Sequence, residues 1–359
     1  MGSVFFLGAC TPQGFVSHYD SLVQEVKYLT VIKGGAGCGK STFMRSIGKA
    51  AQKKGLKTSY ILCASDPDSL DGIFLPDLSL AYVDGTAPHI LEPRLCGGCM
   101  NYLNFGEFYD SAAMEPNEAE ILEAQRQNAA CYPYVTACLA AADKLLDGIR
   151  LATKDSRYDE ELSAIGECLA LSSLKPIGDQ GFVSRRFLSA LTPKGLHFCG
   201  QTPSALCSRI YVLKDNYFLA SRLLQLLLSR AKSFGHHCIA CYSPMLPEGA
   251  PSHLILPDAD VAFVSESREL PYNGPCFCRI DLDSTLLPQT RKELDFYCKT
   301  LTALLYQGIA HVREAKRHHD RMELLCRPFV DFSAVNAMTE QTILRLFGKE
   351  TLGEPRINA

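Results

Sequence analysis

Short apolar runs alternate with longer segments of helical spacing along the first part of the chain. Four short runs predict strands: Tyr28–Lys33 and residues 58–64, 79–83 and 102–105. Residues 40–54 place Phe43, Ile47 and Ala51 on one side of a helix, which Gly55 is suited to end. Four later segments are predicted to be mostly helical: residues 118–151, 158–172, 290–326 and 335–347. The alternation of strands and helices predicts an α/β fold with a parallel sheet flanked by helices.

An internal repeat organises the chain. Three segments recur 181 positions later: residues 6–14, 31–33 and 75–83 resemble residues 187–195, 212–214 and 256–264. Because all three share one register, they predict a tandem duplication. We therefore expect a pseudo-symmetric chain of two domains, residues 1–177 and 178–359, with a linker near residues 176–180, where turn-forming residues concentrate.

Composition narrows the classes of partner. The chain has 359 residues, 47% of them hydrophobic, and a net charge of −3, which gives no reason to expect a nucleic-acid or anionic-membrane surface. It contains no apolar run as long as a membrane span, and its start lacks the basic region of a signal peptide. Many of the 16 cysteines lie in apolar stretches, as reduced core thiols do. We expect a cytoplasmic protein.

A glycine-rich segment carries the strongest chemical signal. Residues 34–41 fit the pattern G-x-x-x-x-G-K-[ST] of a P-loop, between a predicted strand and a predicted helix. The predicted nucleotide-binding residues are Gly34, Gly35, Ala36, Gly37, Cys38, Gly39, Lys40, Ser41 and Thr42. In such a loop backbone amides surround the phosphates, Lys40 reaches the β- and γ-phosphates, and the Ser41 hydroxyl binds Mg²⁺. The sequence thus predicts a P-loop NTPase-type fold with ATP and Mg²⁺ as ligands.

Magnesium in these sites usually needs a carboxylate at the end of a nearby apolar strand. Asp84 follows the apolar run of residues 80–83 and is the predicted second protein ligand beside Ser41. The alternative is that Asp84 and Gly85 only form a turn.

A second group of acids, Asp66, Asp68 and Asp71, follows the second predicted strand. The carboxyl ends of parallel strands are where such sheets bind ligands, so these carboxylates are candidates to orient water or to hold a substrate. The alternative is an aspartate-rich loop that caps the next segment.

The second half keeps the structural residues and lacks the chemical ones. After Lys214 the chain runs from Asp215 to Arg222 without a glycine, and Ser265 stands where the first half has Asp84. We expect Tyr217 and Phe218 to fill the space that phosphates take in the first half. The predicted result is one nucleotide, bound by the first half, with a degenerate second half that packs on it.

Three weaker signals have simple alternatives. Cys96 and Cys99 form a C-x-x-C pair that could join Cys276 and Cys278 in a zinc site, but loop cysteines are the favoured interpretation. The charged residues 314–323, which include two histidines, are expected to form a solvated helix face. A helix start beside Lys40 would lower the pKa of the Cys38 thiol and make it redox-sensitive, although a tolerated small residue is the simpler interpretation.

Several motifs together resemble one protein family. They are the Thr-Pro-Gln-Gly segment at residues 11–14, the P-loop, the acidic segment at residues 63–71 and the Asp-Gly-Thr-Ala-Pro-His segment at residues 84–89. They resemble a poorly characterised family of bacterial tandem P-loop ATPase-like proteins, mostly from Firmicutes. The resemblance covers nearly the whole chain and implies ATP binding, without a known substrate. The second half departs from the family, in which both halves often look like P-loop domains.

Three functions fit these residues. The leading hypothesis is a slow ATPase or an ATP-dependent switch, with catalytic candidates Lys40, Asp84, Asp66, Asp68 and Asp71. The second is a kinase that transfers the γ-phosphoryl group to a small acceptor near the acidic group and His89. The third is a nucleotide-sensing scaffold without turnover, and it gains support because Gly85, not a glutamate, follows Asp84. ATP is preferred over GTP because the chain lacks a guanine-reading Asn-Lys-x-Asp motif.

Overall fold

The computed structural model describes residues 2–87, 91 and 99–348, and these residues form an α/β protein. The strands are β1 (Ser3–Phe6), β2 (Gly8–Thr11), β3 (Gly14–Ser17), β4 (Tyr28–Lys33), β5 (Ser59–Leu62), β6 (Leu70–Leu75), β7 (Leu80–Asp84), β8 (Met100–Asn104), β9 (Val183–Phe187), β10 (Ser189–Thr192), β11 (Gly195–Phe198), β12 (Arg209–Lys214), β13 (Cys238–Tyr242), β14 (His253–Leu256), β15 (Val261–Glu266) and β16 (Cys278–Asp281). The α-helices are α1 (Tyr19–Glu25), α2 (Lys40–Lys53), α3 (Ser111–Met114), α4 (Glu118–Ala152), α5 (Ser156–Ser173), α6 (Thr202–Leu206), α7 (Ala220–Ser233), α8 (Pro288–Cys326) and α9 (Phe332–Phe347). Among the described residues, no helix combines the length and the apolar character needed to cross a bilayer.

The chain divides into two compact units, and each is made of separate stretches of sequence. The glycine-loop unit consists of Gly2, residues 19–87, 91, 99–132 and 312–348. The Asp215 unit consists of residues 3–18 and 133–311. The long helices α4 and α8 each contribute residues to both units. The compact units therefore divide the chain differently from the continuous halves 1–177 and 178–359 of the sequence repeat.

Each unit contains a mixed sheet, and the two strand orders correspond. The glycine-loop unit has the order β5-β6-β7-β4-β8, and the Asp215 unit has β13-β14-β15-β12-β16, extended by β9 and β1. In both units one strand runs parallel to both of its neighbours. It is β4, between β7 and β8, in the glycine-loop unit and β12, between β15 and β16, in the Asp215 unit. The expectation that the two halves share a sheet topology is confirmed by these orders.

The sheets are not wholly parallel, which corrects the sequence prediction. β6 runs antiparallel to β5 and β7, and β14 runs antiparallel to β13 and β15. After β5 the chain reverses in a tight turn, in which the Ser69 amide donates to the Asp66 carbonyl at 2.8 Å. A short turn joins antiparallel strands, whereas a parallel pair needs a long crossover. The segment predicted as an acidic loop therefore ends in a strand, β6, which contains Asp71.

The repeat is visible in fine backbone detail. Both units have a one-turn 3₁₀ helix before the central strands, at Pro76–Leu78 and Pro257–Ala259. Each turn ends on a residue in the left-handed region, Ser79 at φ 48° and Asp260 at φ 51°. Residues of the two halves also pair directly within the Asp215 unit, where Phe6 of β1 lies opposite Phe187 of antiparallel β9.

One helix in each unit forms the apolar contact that holds the loop in place. In the glycine-loop unit α2 buries Phe43, Met44, Ile47 and Ala51 against β6 and α9. In the Asp215 unit the corresponding helix α7 packs on α5, β13 and β14. Burial of each large apolar side chain contributes about 1.5–3 kcal/mol to the free energy of folding, so the apolar face holds each helix against its neighbours.

Candidate functional site

The glycine loop (residues 34–41) joins the end of β4 to the first turn of α2. Gly37 and Gly39 have φ angles of 73° and 93°, a left-handed backbone that side chains with a Cβ rarely adopt. At Gly34 a Cβ would lie 2.8 Å from the Cys38 Sγ and from the Phe105 Cβ. The loop thus needs glycine for its shape. It ends at the first amides of α2, which have no acceptor within the helix and are suited to bind an anion.

Lys40 lies at the centre of the loop. Its Nζ donates to the Gly34 carbonyl at 2.7 Å and to the Gly35 carbonyl at 2.9 Å. It also lies 3.5 Å from Asp84 Oδ2, and both side chains are largely buried, at 12% and 16% exposed. This geometry places one cation and one carboxylate beside the start of α2.

Asp84 reaches the loop because its strand is the neighbour of the strand before the loop. It is the last residue of β7 and pairs with Ile32 of parallel β4. Its Oδ1 accepts the Thr86 amide at 2.8 Å and also the Thr86 hydroxyl, which orients the carboxylate. The same Thr86 hydroxyl lies 3.2 Å from the Gly34 carbonyl, so one residue links Asp84 to the loop.

The oxygens of Ser41 and Asp84 are the kind that Mg²⁺ prefers. The Ser41 Oγ accepts the Leu70 amide at 2.9 Å, which fixes its position and leaves a further lone pair. Within the described residues no group of three or more histidine, cysteine, aspartate or glutamate side chains is arranged to hold a metal. A set of two protein oxygens fits a magnesium ion that also takes phosphate oxygens and water, as this ion usually does.

The three acids predicted as one group lie in three environments. Asp66 accepts the Ser69 hydroxyl at 3.0 Å and lies 3.6 Å from Lys316 Nζ of α8. Asp68 is exposed, and its carbonyl accepts from Arg45 at 2.6 Å. Asp71 is 5% exposed on β6, where its carbonyl accepts the Tyr19 hydroxyl at 3.4 Å. Two of the acids meet in the turn, where the Asp68 amide donates to Asp66 Oδ1 at 3.2 Å. The third, Asp71, is buried on β6, and its side chain interacts with Cys63.

The last turns of α8 bring charged residues that sequence reasoning missed. Glu323 lies against the loop: its carbonyl oxygen is 3.5 Å from the point where a Cβ on Gly37 would stand. The hydrogen bond from His319 lowers the pKa of Glu323, and the charges of Lys316 and Lys40 lower it further. The Glu323 carboxylate is therefore ionised at neutral pH.

These residues belong to the charged stretch at 314–323, which was predicted to be a solvated face. That prediction is wrong for part of the stretch, since the side chains of Lys316 and His318 are 22% and 23% exposed. The pairs Lys316–Asp320 and His319–Glu323 are spaced at i,i+4, which is equally common on solvated helices. The sequence pattern therefore does not distinguish partly buried charged pairs from solvated ones.

Cys38 does not have an activated thiol. It is 1% exposed, and its Sγ lies 3.1 Å from the Gly35 carbonyl. Burial raises the pKa of the thiol and outweighs the opposing effect of Lys40. The expected lowering of its pKa is wrong because the loop closes over the side chain.

The connection between β12 and α7, residues 215–219, is one residue shorter than the connection between β4 and α2, residues 34–39. It provides acceptors for the first amides of its helix from a side chain. The Asp215 carboxylate accepts the amides of Leu219 and Ala220 at 2.7 and 2.8 Å. Burial raises the pKa of Asp215 to about 6, although these two hydrogen bonds act against that rise. The carboxylate thus takes the amides that an anion would otherwise bind.

This arrangement refines the expectation for the second half. Tyr217 is buried, but Phe218 adopts φ 62° and its side chain is 39% exposed. Of the two aromatic side chains expected to fill the space of the phosphates, only Tyr217 is buried. A second carboxylate, Asp283, accepts the Asn216 amide at 2.8 Å and stands 3.7 Å from Lys214 Nζ.

Two candidate residues, His89 and Cys96, lie outside the described residues. Cys99, Cys276 and Cys278 are described as exposed free thiols. No family model matches the chain, and neither the curated proteins nor the solved structures contain a match. The glycine loop and the residues around it are therefore the guide to function.

Proposed function

We propose that the glycine-loop unit is a P-loop domain that binds one ATP with Mg²⁺ and hydrolyses it slowly, as an ATP-dependent switch. The observation that carries the proposal is the approach of Lys40 Nζ to Asp84 Oδ2, 3.5 Å apart, at a glycine loop that opens a helix. A cation for phosphate and a carboxylate for magnesium are the two charged groups that such a site requires.

Each side chain has a separate task in this proposal. The first amides of α2 and the loop amides bind the phosphates. Lys40, which here donates to Gly34 and Gly35, pairs with the β- and γ-phosphates. Ser41 and Asp84 hold Mg²⁺, which neutralises charge on the phosphate oxygens when it is bound.

Glu323 is the proposed group that orients or deprotonates the attacking water. A hydrolase needs such a group, and the residue after Asp84 is Gly85. The main chain of Glu323 lies beside Gly37, and its ionised carboxylate pairs with His319 at 3.3 Å and interacts electrostatically with Lys40. We expect Glu323→Gln to slow ATP hydrolysis about 100-fold while ATP affinity stays within a factor of three, in the range of a lost general base.

The matched control for this variant is Glu314→Gln, on the same helix and paired with Arg317. It should leave turnover unchanged. Equal turnover of Glu323→Gln and the unmodified protein, measured as phosphate released in single-turnover experiments, would exclude Glu323 from the reaction.

A kinase is the second candidate, and the pair of Asp66 with Lys316 favours it. The two side chains lie 3.6 Å apart, and the turn that holds Asp66 leads into Leu70, whose amide binds Ser41. An acceptor hydroxyl or carboxylate bound there would stand close to the magnesium ligands. Turnover of ATP with and without a metabolite pool, with ADP, phosphate and phosphorylated products followed separately, distinguishes hydrolase, kinase and non-catalytic sensor.

The matching strand orders, the repeated 3₁₀ turns and the common offset of 181 residues support an origin by tandem duplication. Because Asp215 occupies the helix amides of the Asp215 unit, we infer one nucleotide per chain. Calorimetry of the full-length protein with Mg²⁺ and ATP tests this inference. A stoichiometry near one supports it, and a stoichiometry of two contradicts it.

We also propose a cytoplasmic location and a small-molecule or protein partner. The described cysteines are all free thiols, and a reducing cytoplasm fits this usage. The net charge of −3 favours a small-molecule or protein partner over nucleic acid.

A further inference from the structure

The Asp215 unit contains a cavity of about 360 Å³. It lies where the chain leaves β12, β13 and β15, and α8 closes one side of it. Its walls are mainly apolar and include Leu191, Met245, Leu270, Leu301 and Leu305. A cavity of this size, outside the carboxyl ends of parallel strands, has the position and volume of a small-molecule site.

The cavity does not suit a nucleotide. Next to it, Asp215 already accepts the first amides of α7, and Asn216 donates to Asp283 through its backbone and its side-chain amide. The Asp215 carboxylate thus occupies the helix amides that a phosphate would otherwise bind. The remaining space is apolar, so a ligand must be mostly apolar as well.

One positive charge at the cavity is available to a ligand. Arg268 pairs with Asp295 at 3.3 Å. Glu269, which accepts the Tyr306 hydroxyl at 3.4 Å, is the acidic residue of the lining and keeps its negative charge. Lys299 also lines the cavity, is exposed, and forms no ion pair or hydrogen bond with any residue in the described part of the chain. An apolar space with a single uncommitted ammonium group matches a molecule with an apolar body and one negative charge.

We propose that this cavity binds an amphipathic monocarboxylic acid, with the hydrocarbon part among Leu191, Met245 and Leu301 and the carboxylate at Lys299. The site is separate from the proposed ATP site and does not depend on it. The hydrocarbon part supplies affinity by leaving water, and the ammonium group selects a carboxylate over a neutral head.

A chain-length series measured by calorimetry on the full-length protein tests the proposal. The probes are the straight-chain acids from hexanoate to dodecanoate and the alcohols of equal length. Affinity should rise about 4-fold for each added methylene and stop rising once the cavity is full. Each acid should bind several-fold more tightly than its alcohol. Binding that does not depend on chain length would overturn the proposal.

Two variants test the two parts of the site. Lys299→Gln should weaken the acids to the level of the alcohols, and Lys292→Gln, an exposed lysine on the same helix, should change neither. Thr302→Trp, which places a large ring in the cavity, should abolish binding of both probe classes. Retained binding in Thr302→Trp would place the ligand elsewhere. Equal loss of acid affinity in both lysine variants would show general charge attraction instead of a site at Lys299.

Discussion

The glycine loop and the loop that begins at Asp215 connect corresponding strands to corresponding helices, yet different side chains lie at the two helix starts. The first loop has glycines with left-handed φ angles, and Lys40 and Asp84 place two charges beside the start of α2. In the second loop, the Asp215 carboxylate accepts the amides of Leu219 and Ala220. In the proposed function the first loop binds an external anion, whereas the second loop provides its own carboxylate.

The comparison shows that similar strands and helices can be kept while the acceptors at the helix start differ. A helix start needs acceptors for its first amides, whether they come from a ligand, water or the protein. Once a carboxylate from the loop supplies them, the helix no longer needs an anion, and the glycines and the lysine lose their task. α7 still buries its apolar face, which includes Leu223, Leu224 and Leu227, so the fold is kept.

The largest expected effect is that of Lys40→Ala on ATP binding. Loss of a charge-assisted hydrogen bond to phosphate costs about 1.5–3 kcal/mol, so ATP affinity should fall roughly 10- to 150-fold. The matched control is Lys214→Ala in the second loop, which should leave ATP affinity unchanged. Calorimetry on both variants, with circular dichroism to check folding, gives the answer. Unchanged affinity in folded Lys40→Ala would refute the assignment of the glycine loop.

A smaller effect is expected from Asp84→Asn. The variant removes a negative magnesium ligand, so we expect ATP affinity in the presence of Mg²⁺ to fall about 10-fold, the loss that one weakened charged contact gives. Without Mg²⁺, ATP affinity should not fall, because the carboxylate that attracts Lys40 has gone. Asp20→Asn, an exposed acid on α1, is the control. An equal loss with Mg²⁺ and with a chelator would contradict the metal role.

The smallest expected effect is a pH dependence of stability at Asp215. Because its pKa is raised to about 6 in the folded protein, the folded state binds the proton more tightly than the unfolded state. The unmodified protein should therefore lose about 1–3 kcal/mol of stability from this group as pH rises from about 4 to about 6.

Asp215→Asn lacks this titration. Its midpoint of thermal unfolding should therefore rise relative to that of the unmodified protein as pH rises through the same range. Thermal unfolding followed at pH 4.5, 5.5 and 7.5 measures the difference. A difference in midpoint that stays constant with pH would show that Asp215 titrates normally and is not buried against the helix amides.

Local sequence patterns were sufficient for the elements that frame the site. The run Tyr28–Lys33 is β4 without change, and the predicted helix at residues 40–54 is α2 at Lys40–Lys53. These predictions succeed because apolar periodicity, glycine spacing and the motif that ends in Lys40 and Ser41 are all short-range features. The internal repeat likewise predicted the shared strand order from residues that are adjacent in the sequence.

Tertiary structure decided which residues meet. The sequence determined the glycine loop, its lysine and the candidate carboxylate Asp84, because each follows from neighbours along the chain. It did not determine that Asp71 is buried on an antiparallel strand, or that the main chain of Glu323, far along the chain, lies beside Gly37. Charged helix residues look alike whether they face water or a loop, and only the packing of α8 distinguishes the two. The carboxylate of Asp215 likewise gained its role from the direction in which its loop folds.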